Sequence, residues 1–496
     1  MKILFAASEA VPFIKTGGLG DVVGALSAAL KRAGHDVRIV LPKYRSLRAD
    51  LPPLTLLPFP LRVPIGGSEQ TVRVYEAVFA PRLRAYLVDS PAHFDRDGVY
   101  GEPGGRDFPD NDIRFILLSR AALEIAKAVA FRPDVVHAHD WQTGLVPALL
   151  ATAYRSDSFF IPTASVFSIH NIAYQGVFPK ETLGIAGLPW SEFTPDKIEF
   201  YDRVNFLKAG MSYAHVLSTV SPSYALETQT EEFGAGLDGF LRGRGKDYAG
   251  VLNGLDTALW NPARDPLLAR RYTARSLGPR TVCREDLQRT VGLETDPRAP
   301  ILAMVSRLDP QKGFDMLLDL LEEFVDDGCQ AVFLGQGSRV YQAALRTLAR
   351  KFKGRVSATT EFDEALAHKI YGGADLFLMP SRFEPCGLGQ MIALRYGAVP
   401  VVTPTGGLKD TVSPASPNGS VGVGFVAERV DTAAFRAALQ RAVRLFREDP
   451  AAWRALTRRG MGLSFDWKDS VGRYLDLYRL AQSKKAVEAH METARA

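Results

Sequence analysis

Short apolar runs alternate along the first half of the chain with amphipathic stretches, and glycine-rich or polar loops separate them. A short apolar run between turn signals predicts a buried strand, and apolar residues at helical spacing predict a helix. The strands so predicted lie at residues 2–7, 37–41, 83–88, 135–137, 166–170 and 216–220, and the helices at 22–33, 112–130 and 144–153. This alternation predicts a doubly wound α/β domain with a parallel sheet.

The same pattern begins again near residue 300. Strands are predicted at 300–305, 330–335, 376–380 and 399–402, and helices begin at Phe314 and Gln390. They indicate a second α/β domain, and the Gly-, Asp- and Arg-rich stretch 234–261 holds the expected hinge. A final amphipathic helix is predicted at 467–481, and the residues beyond Ser483 are expected to fray. We therefore assign residues 1–245 and 246–465 to two domains, and residues 466–496 to a C-terminal helix and tail.

Length and composition agree with an ordinary globular protein of two domains. Of the 496 residues, 46% are hydrophobic and 23% charged, and 60 Lys and Arg nearly balance 55 Asp and Glu. No basic tract dominates, which argues against a nucleic-acid partner. No apolar stretch is long enough for a membrane span, and Glu9 interrupts the N-terminal run, which argues against a signal peptide. Three scattered cysteines, Cys283, Cys329 and Cys386, lack metal or disulfide spacing, so we expect a reducing compartment and hence the cytoplasm.

The segment from Pro380 to Gly389 carries the most informative pattern. It reads Pro-Ser-Arg-Phe-Glu-Pro-Cys-Gly-Leu-Gly, and it lies between an apolar strand and a predicted helix. The N-terminus of a helix after a strand binds anions, because its free backbone N–H groups point outward. Glu384 adds a carboxylate there, which suits a sugar hydroxyl next to a phosphate. The pattern favours an enzyme that uses a nucleotide sugar.

A second phosphate signal lies in the loop from Ser306 to Gly313, between a strand and a helix. Arg307 and Lys312 place two cations in this loop. Arg can bind a phosphate with two parallel hydrogen bonds, and both cations would neutralise negative charge on departing phosphoryl oxygens. The alternative is two exposed charges on a surface loop.

Three segments of the first half follow predicted strands and carry further candidates. In Lys15-Thr-Gly-Gly-Leu-Gly-Asp21, the glycines would let the backbone approach a phosphate, although a tight turn explains them as well. Asp140, in His137-Ala-His-Asp, either accepts hydrogen bonds from a ligand or caps the next helix. His137 and His139 lack a nearby third ligand, so no metal is expected. His170 either donates to a substrate hydroxyl or is satisfied by the backbone.

Four weaker signals have structural alternatives. Gly335 lies in a Gly-Gln-Gly turn after a strand, and Asn253 begins a segment that reads first as a turn. Asn171 suits a turn after His170. Phe362 suits stacking on a base, although an isolated Phe is more often part of a core.

Taken in order, these motifs resemble those of the bacterial glycogen synthases, a glycosyltransferase family shared with the plant starch synthases. The resemblance rests on Lys-Thr-Gly-Gly-Leu-Gly-Asp, His-Ala-His-Asp-Trp, His-Asn-Ile-Ala-Tyr-Gln-Gly, Ser-Arg-Leu-x-x-Gln-Lys-Gly, Arg-Phe-Glu-Pro-Cys-Gly-Leu and Thr405-Gly-Gly-Leu408, and it covers essentially the whole chain. It implies the GT-B fold, with two Rossmann-like domains facing each other across a cleft and the last helix returning to the first domain. The first domain would serve the acceptor and catalysis, and the second would bind the nucleotide sugar.

The implied reaction transfers glucose from ADP-glucose to the non-reducing end of an α-1,4-glucan with retention, without a cofactor or metal. Gly389 stands where the family commonly has Thr, which would remove one phosphate contact. The resemblance implies that Arg307 and Lys312 bind the diphosphate. It implies that the sugar is bound by Glu384, by Asn253 and by backbone groups around Cys386, Gly387 and Leu388, and that His170 and Asp140 line the donor sugar. It further implies that Lys15, Gly17 and Gly18 approach the donor phosphate and the acceptor, that Phe362 stacks on adenine, and that Tyr100 binds the acceptor. We include Asp21, Asn171 and Gly335 as further substrate-binding candidates.

Two questions stay open at this level. Glu384 acts either as a nucleophile in a double displacement or as a binder of sugar hydroxyls. The alternative functions are a related α-glucan transferase with another donor and a catalytically silent glucan-binding protein. The sequence makes no prediction of an oligomeric state.

Overall fold

The computed structural model describes residues 1–48, 51–79, 82–102, 105–361 and 363–495, with the backbone alone for 492–495. The chain divides into two compact units, Met1–Gly254 with Trp467–Ala496, and Leu255–Asp466. Residues 246–254, which the sequence pattern predicted in the second domain, are part of the first unit. Among the described residues, no helix combines the length and the hydrophobicity that crossing a membrane requires.

The first unit is built on a large twisted sheet with helices packed on it. Its strands β1–β13 are Lys2–Ala6, Asp36–Pro42, Leu54–Leu56, Leu61–Ile65, Ser68–Phe79, Leu83–Asp89, Val135–His139, Ala164–Ile169, Val177–Pro179, Glu199–Phe200, Arg203–Asn205, Val216–Thr219 and Tyr248–Gly250. Its helices α1–α8 are Gly18–Arg32, Pro91–Phe94, Asn111–Ala128, Leu145–Ala151, Thr182–Ile185, Phe206–Tyr213, Pro222–Glu227 and Asp238–Arg244. The main sheet has the order β13-β12-β8-β7-β1-β2-β6-β5-β3, with β4 paired to β5.

This sheet is parallel from β13 to β6, as the apolar runs predict. Strand order reverses at β1, so β1 and β7 flank a topological switch point, where open α/β sheets bind ligands. The antiparallel pairing of β5 with β3, β4 and β6 was not predicted. It follows from the alternation of buried and exposed residues in β5, which is typical of a sheet with one solvated face.

The second unit has a smaller, wholly parallel sheet. Its strands β14–β19 are Ile301–Val305, Gln330–Leu334, Val356–Thr359, Leu376–Met379, Val399–Val402 and Phe425–Val426. Its helices α9–α16 are Arg280–Thr290, Phe314–Asp326, Arg339–Lys351, Glu364–Gly373, Gly389–Tyr396, Gly406–Thr411, Thr432–Glu448 and Pro450–Met461. The strand order is β16-β15-β14-β17-β18-β19, the Rossmann order, with its switch point between β14 and β17.

Local sequence explains how these elements form. Strands β14 and β15 are almost continuously buried, because helices cover both faces of a parallel sheet. Helix α10 buries residues such as Phe314, Leu317, Leu321 and Phe324, whose spacing gives the helix one apolar face. The Asp449 side chain caps α16 by accepting N–H bonds, with Pro450 at the first helical position.

The last helix, α17, spans Trp467–Arg495 and packs against β8 and α1 of the first unit. The prediction that it ends at Ala481 and that the chain frays beyond Ser483 was wrong. Two ion pairs hold its later turns on the unit, Lys484 with Asp247 at 2.5 Å and His215 with Glu488 at 3.2 Å.

Candidate active site

In the second unit, the two segments with the phosphate and carboxylate signals meet at the switch point. The loop 306–313 follows β14, and the segment 380–388 follows β17, which pairs directly with β14. The sequence predicted both segments at strand ends, and the strand order makes them neighbours.

Lys312 and Glu384 are in direct contact there. Lys312 Nζ lies 2.6 Å from Glu384 Oε2, and Ser381 Oγ donates to the same oxygen at 2.9 Å. Glu384 is 4% exposed, so a charge-assisted hydrogen bond and a hydroxyl satisfy a nearly buried carboxylate. Both donors engage Oε2, which leaves Oε1 to interact with a ligand. Ser381 was not predicted, because a serine in a Pro-rich turn carries no signal of its own.

Glycines allow the turn that holds Glu384 to pack against the N-terminus of α14. A Cβ on Gly406, whose φ is +44°, would lie 2.0 Å from the Glu384 carbonyl oxygen, and one on Gly407 would lie 2.1 Å from the Cys386 carbonyl oxygen. The motif Thr-Gly-Gly-Leu is therefore explained by close approach of two backbones.

A buried side chain of the following helix also fixes this turn. Gln390, which is fully buried in α13, donates its side-chain amide to the carbonyl oxygens of Cys386 and Gly387, each at 3.0 Å. Gly387 takes a left-handed φ of +70°. Leu388 precedes α13, and Gly389 is its first residue. Gln390 was not predicted to hold this turn, because its pattern was that of an ordinary helical position.

Other predicted residues of this unit lie at the same sheet edge or outside the described chain. Arg307 follows β14 and is exposed. Gly335 follows β15, and a Cβ there would lie 1.8 Å from the Ser306 carbonyl oxygen, so this glycine lets β15 approach the cation loop. Phe362 lies outside the described residues.

In the first unit, the segment after β1 is organised around Glu9, which is 2% exposed. Its carboxylate accepts hydrogen bonds from Thr16 N–H at 2.5 Å, from Thr16 Oγ1 at 2.7 Å and from the Tyr100 hydroxyl. Burial raises the pKa of Glu9, and these bonds, with one from the Gly17 backbone, oppose that rise. Tyr100 also pairs with Ser8 at 2.8 Å. Glu9 was missed: its one visible signal was a charge within an apolar run after a strand.

Glu9, Thr16 and Tyr100 together form a hydrogen-bonded cluster, which fixes the loop that contains Lys15, Gly17 and Gly18. Lys15 Nζ lies 2.7 Å from the Asp21 carboxylate. Helix α1 begins at Gly18 and not at Val22 as predicted, so Asp21 lies in its first turn. A Cβ on Gly17 or Gly18 would meet no described atom within 4 Å, and Gly17 has an extended φ of −157°. Neither glycine is required by packing or by backbone conformation, so the space beside them is open to a ligand.

Asp140 follows β7 and holds the backbone at the end of β8. Its Oδ1 accepts the His170 N–H at 2.7 Å, and the Asn171 N–H also bonds to this carboxylate. The capping alternative is wrong, because the side chain makes no cap to the following helical turn. Burial raises the pKa of Asp140 to about 7, although these two N–H bonds oppose the shift. The φ of +57° at Asp140 is a strained value for a residue with a side chain, and such strain is concentrated at functional sites.

His170 lies at the same edge, and burial lowers its pKa to about 3, so its ring is neutral. Its Nε2 lies 3.0 Å from Nδ1 of His139. The alternative of a histidine satisfied by the backbone is therefore wrong for the ring. Asn171 accepts the Ala173 N–H at 3.0 Å, the turn that was predicted for it.

The remaining candidates of this unit lie deeper. His137 is fully buried and bonds to the Tyr478 hydroxyl at 2.9 Å and to Ser168 Oγ at 2.6 Å. Within the described part of the chain, no group of three or more His, Cys, Asp or Glu is arranged to hold a metal. Asn253 is 5% exposed after β13, and its Oδ1 has no hydrogen-bonding partner among the described residues.

Comparisons with known proteins identify the family of the chain. Residues 2–243 match the starch synthase catalytic domain, and residues 290–457 match the glycosyl transferases of group 1. The chain is 44% identical over 490 residues to a glycogen synthase of Syntrophotalea carbinolica, covering 99% of this chain and all of that one. The chain belongs to the glycogen synthase family. A second member, from an Anaeromyxobacter species, is 45% identical over 97% of this chain and 99% of its own length.

Solved structures agree with the family and the fold. The catalytic domain of starch synthase IV from Arabidopsis thaliana, bound to ADP and acarbose, has a TM-score of 0.91 and 34% identity, and the match covers 97% of this chain and 99% of that one. A sucrose-phosphate synthase from Thermosynechococcus elongatus, with a TM-score of 0.60 and 17% identity over 96% of this chain and 98% of that one, shares the fold. The glycogen synthase family member described here is a glycosyltransferase with the GT-B fold of two Rossmann-like domains.

Proposed function

We propose that this glycosyltransferase moves glucose from ADP-glucose to the non-reducing end of an α-1,4-glucan, with retention, and so elongates glycogen. The names of its curated relatives support the product, and the ADP bound to the plant relative supports the donor. We place the reaction in the cytoplasm, in keeping with three buried cysteines that form no disulfide.

The contact that carries this proposal is the one between Lys312 and Glu384, 2.6 Å apart at the switch point of the second unit. A cation beside a carboxylate suits a sugar joined to a diphosphate, because the cation attracts the phosphate and the carboxylate accepts a hydrogen bond from a sugar hydroxyl. Lys312 and Arg307 would hold the phosphates, and Glu384 Oε1 would accept a hydrogen bond from a glucose hydroxyl. The Cys386–Leu388 backbone, fixed by Gln390, would seat the sugar.

In the proposed reaction, the bond between the sugar C1 and the diphosphate oxygen breaks, and a bond forms from C1 to the acceptor O4. The proton of the acceptor hydroxyl passes to the departing phosphate oxygen on the same face of the sugar, which retains the configuration. Negative charge grows on the diphosphate, and Arg307 and Lys312 oppose it, so we propose that no metal ion is required. The engagement of Glu384 Oε2 by Lys312 and Ser381 favours hydroxyl binding by Glu384 over nucleophilic attack.

We assign the edge of the first unit to the donor sugar and the acceptor. His170 and Asp140, with Asn171 beside them, would line the sugar. Asn253 would contribute its Oδ1, which no described residue engages. Lys15, Gly17 and Gly18 would approach the donor phosphate and the acceptor, and Asp21 would hold Lys15. Tyr100 would act on the acceptor through the loop that Glu9 organises, and Gly335 would border the donor. Stacking of Phe362 on adenine stays a prediction.

The experiment is glucose incorporation into glycogen from labelled ADP-glucose and, in parallel, UDP-glucose, each with and without a chelator. We expect incorporation from ADP-glucose that the chelator does not reduce. Incorporation from UDP-glucose alone would keep the reaction and overturn the donor. Loss of activity with the chelator would overturn the metal-free proposal.

Variants at Glu384 separate the remaining possibilities. We expect Glu384→Gln to retain more activity than Glu384→Ala, because an amide oxygen still accepts a hydroxyl. A matched control is Glu322→Gln, at an exposed ion pair of the same unit. A glucosyl adduct on Glu384, detected by mass spectrometry after reaction with an acceptor that reacts slowly, would instead establish Glu384 as a nucleophile. Glucan binding without product from either donor would establish the silent binding protein.

A further inference from the structure

His139 lies directly behind His170, and the proposed function gives it no role. Its Nδ1 is 3.0 Å from Nε2 of His170, and the two ring centroids are 5.3 Å apart. His139 is fully buried at the end of β7, whereas His170 is 9% exposed. One ring is therefore enclosed by the protein, and the other forms part of the sheet edge.

Both rings are neutral, because burial lowers the pKa of each imidazole. A neutral imidazole has one N–H donor and one acceptor nitrogen. The hydrogen bond between the two rings can therefore form in two ways. Either His139 Nδ1 carries the proton and donates to His170, or His170 Nε2 carries it and donates to His139.

The outer nitrogen of His139 decides between them. Its Nε2 is buried and has no hydrogen-bonding partner in the part of the chain that the structure describes. The His139 ring packs at a tilt against the rings of Phe5 and His137, with ring centroids 5.0 Å and 4.0 Å apart. A buried N–H without a partner is rarer in proteins than an under-used acceptor. Nε2 of His139 is thus the bare nitrogen, and Nδ1 carries the proton.

We propose that His139 is a positioning residue that donates its Nδ1–H to Nε2 of His170, and thereby leaves the Nδ1–H of His170 as the donor that faces a sugar hydroxyl. The second half of this inference rests on the proposed function of His170. His139 and Asp140, which are adjacent at the end of β7, then hold His170 at two points. Asp140 accepts its backbone N–H, and His139 donates to its ring. The ring keeps one orientation and one tautomer before substrate arrives, which is preorganisation of a donor.

The direct test is imidazole ¹⁵N NMR on the full-length protein. With eight histidines in the chain, His170→Gln identifies the His170 signals by their loss. We expect His170 with Nδ1 protonated and Nε2 unprotonated, and His139→Leu to populate both tautomers of His170. Protonation of His170 at Nε2 in the unaltered protein would overturn the proposal. This measurement stands even if the protein transfers no glucose, so it separates failure of this inference from failure of the proposed function.

Kinetics test the consequence. His139→Leu should lower kcat by about 10- to 100-fold, as misplacement of a reacting group does, and change the KM for ADP-glucose much less. His139→Asn places an amide N–H near the position of Nδ1 and should restore most of that loss. In a His170→Ala background, His139→Leu should have little further effect, because the group that it positions is gone. Equal losses in both backgrounds, or no rescue by Asn together with an unchanged His170 tautomer, would overturn the positioning role.

Discussion

Lys312 and Glu384 form an ion pair in which both side chains are nearly buried, at 15% and 6% exposure, with Nζ and Oε2 2.6 Å apart. We expect Lys312→Met to lower kcat by about 10²- to 10³-fold, the usual effect of losing one group that stabilises developing negative charge. The free energy of unfolding should also fall, because Glu384 is left as a buried carboxylate with Ser381 as its remaining donor. Steady-state kinetics and urea denaturation measure the two effects.

The matched control is Lys351→Met in the same unit. Lys351 lies 2.7 Å from Glu322, but both side chains are about half exposed, at 53% and 51%. An exposed pair of this kind contributes about 0–1 kcal/mol, so the control should have nearly unaltered stability and activity. Equal effects of the two substitutions would contradict a special role for the buried pair.

Gly407→Ala tests the packing beneath the Glu384 turn. The new Cβ would lie 2.1 Å from the Cys386 carbonyl oxygen, so the turn that carries Cys386 and Gly387 must shift. We expect a loss of about 1–3 kcal/mol in the free energy of unfolding, as overpacking gives, and a lower kcat/KM for the donor. Gly472→Ala in α17 is the control: no described atom lies within 4 Å of its Cβ, so the protein should be unaffected or slightly stabilised. Wild-type kcat/KM in Gly407→Ala would show that the turn tolerates displacement.

The sequence predicted the two sheet edges well, because the signals involved are local. An apolar run marks a strand, the residues after it mark its end, and parallel strands bring these ends to one edge. Glu384, Lys312, Asp140 and His170 were all found in this way, and all lie in segments that follow the carboxyl ends of strands in the structure.

Pairings between distant residues could not be predicted from such signals. Lys312 and Glu384 are 72 positions apart, Glu9 and Tyr100 are 91 apart, and His137 and Tyr478 are 341 apart. Each pairing depends on which distant strands, loops and helices become neighbours, and a single sequence does not encode that in any local pattern. For the same reason, the sequence could not show that the Asp140 carboxylate, instead of capping the next helical turn, binds the backbone after β8.

Glu9→Gln tests whether the buried carboxylate organises the loop of Lys15. Glutamine has nearly the same volume, but its NH₂ group faces N–H and O–H donors that need an acceptor. We expect a loss of about 1–3 kcal/mol in unfolding free energy, typical of buried groups left unsatisfied, and a higher KM for donor and acceptor. A double-mutant cycle with Tyr100→Phe should show non-additive losses, because both residues belong to one hydrogen-bonded cluster. Additive losses would place Tyr100 outside the function of Glu9.

Asp140 should make stability depend on pH in a predictable direction. Burial raises its pKa from 3.8 to about 7, so the folded state favours the protonated carboxyl. A group with a raised pKa stabilises the fold fully below its unfolded pKa, and that stabilisation is lost as the pH rises through the folded value. Between pH 5 and pH 8, the unaltered protein should therefore lose stability relative to Asp140→Asn, which does not titrate.

We expect this relative loss of stability to be about 1–2 kcal/mol. The full pKa shift would imply more, at about 1.4 kcal/mol per unit, but Asp140 keeps some contact with solvent, which weakens the effect. The neutral His137, His139 and His170 act in the opposite direction, since their lowered pKa values remove stability as the pH falls below 6.5. Their contribution is common to both proteins and cancels in the difference between them. Urea denaturation at the two pH values measures that difference, with Asp476→Asn, at a position 74% exposed, as the control. A difference that does not change with pH would mean that the Asp140 carboxylate is ionised in the folded protein throughout this range.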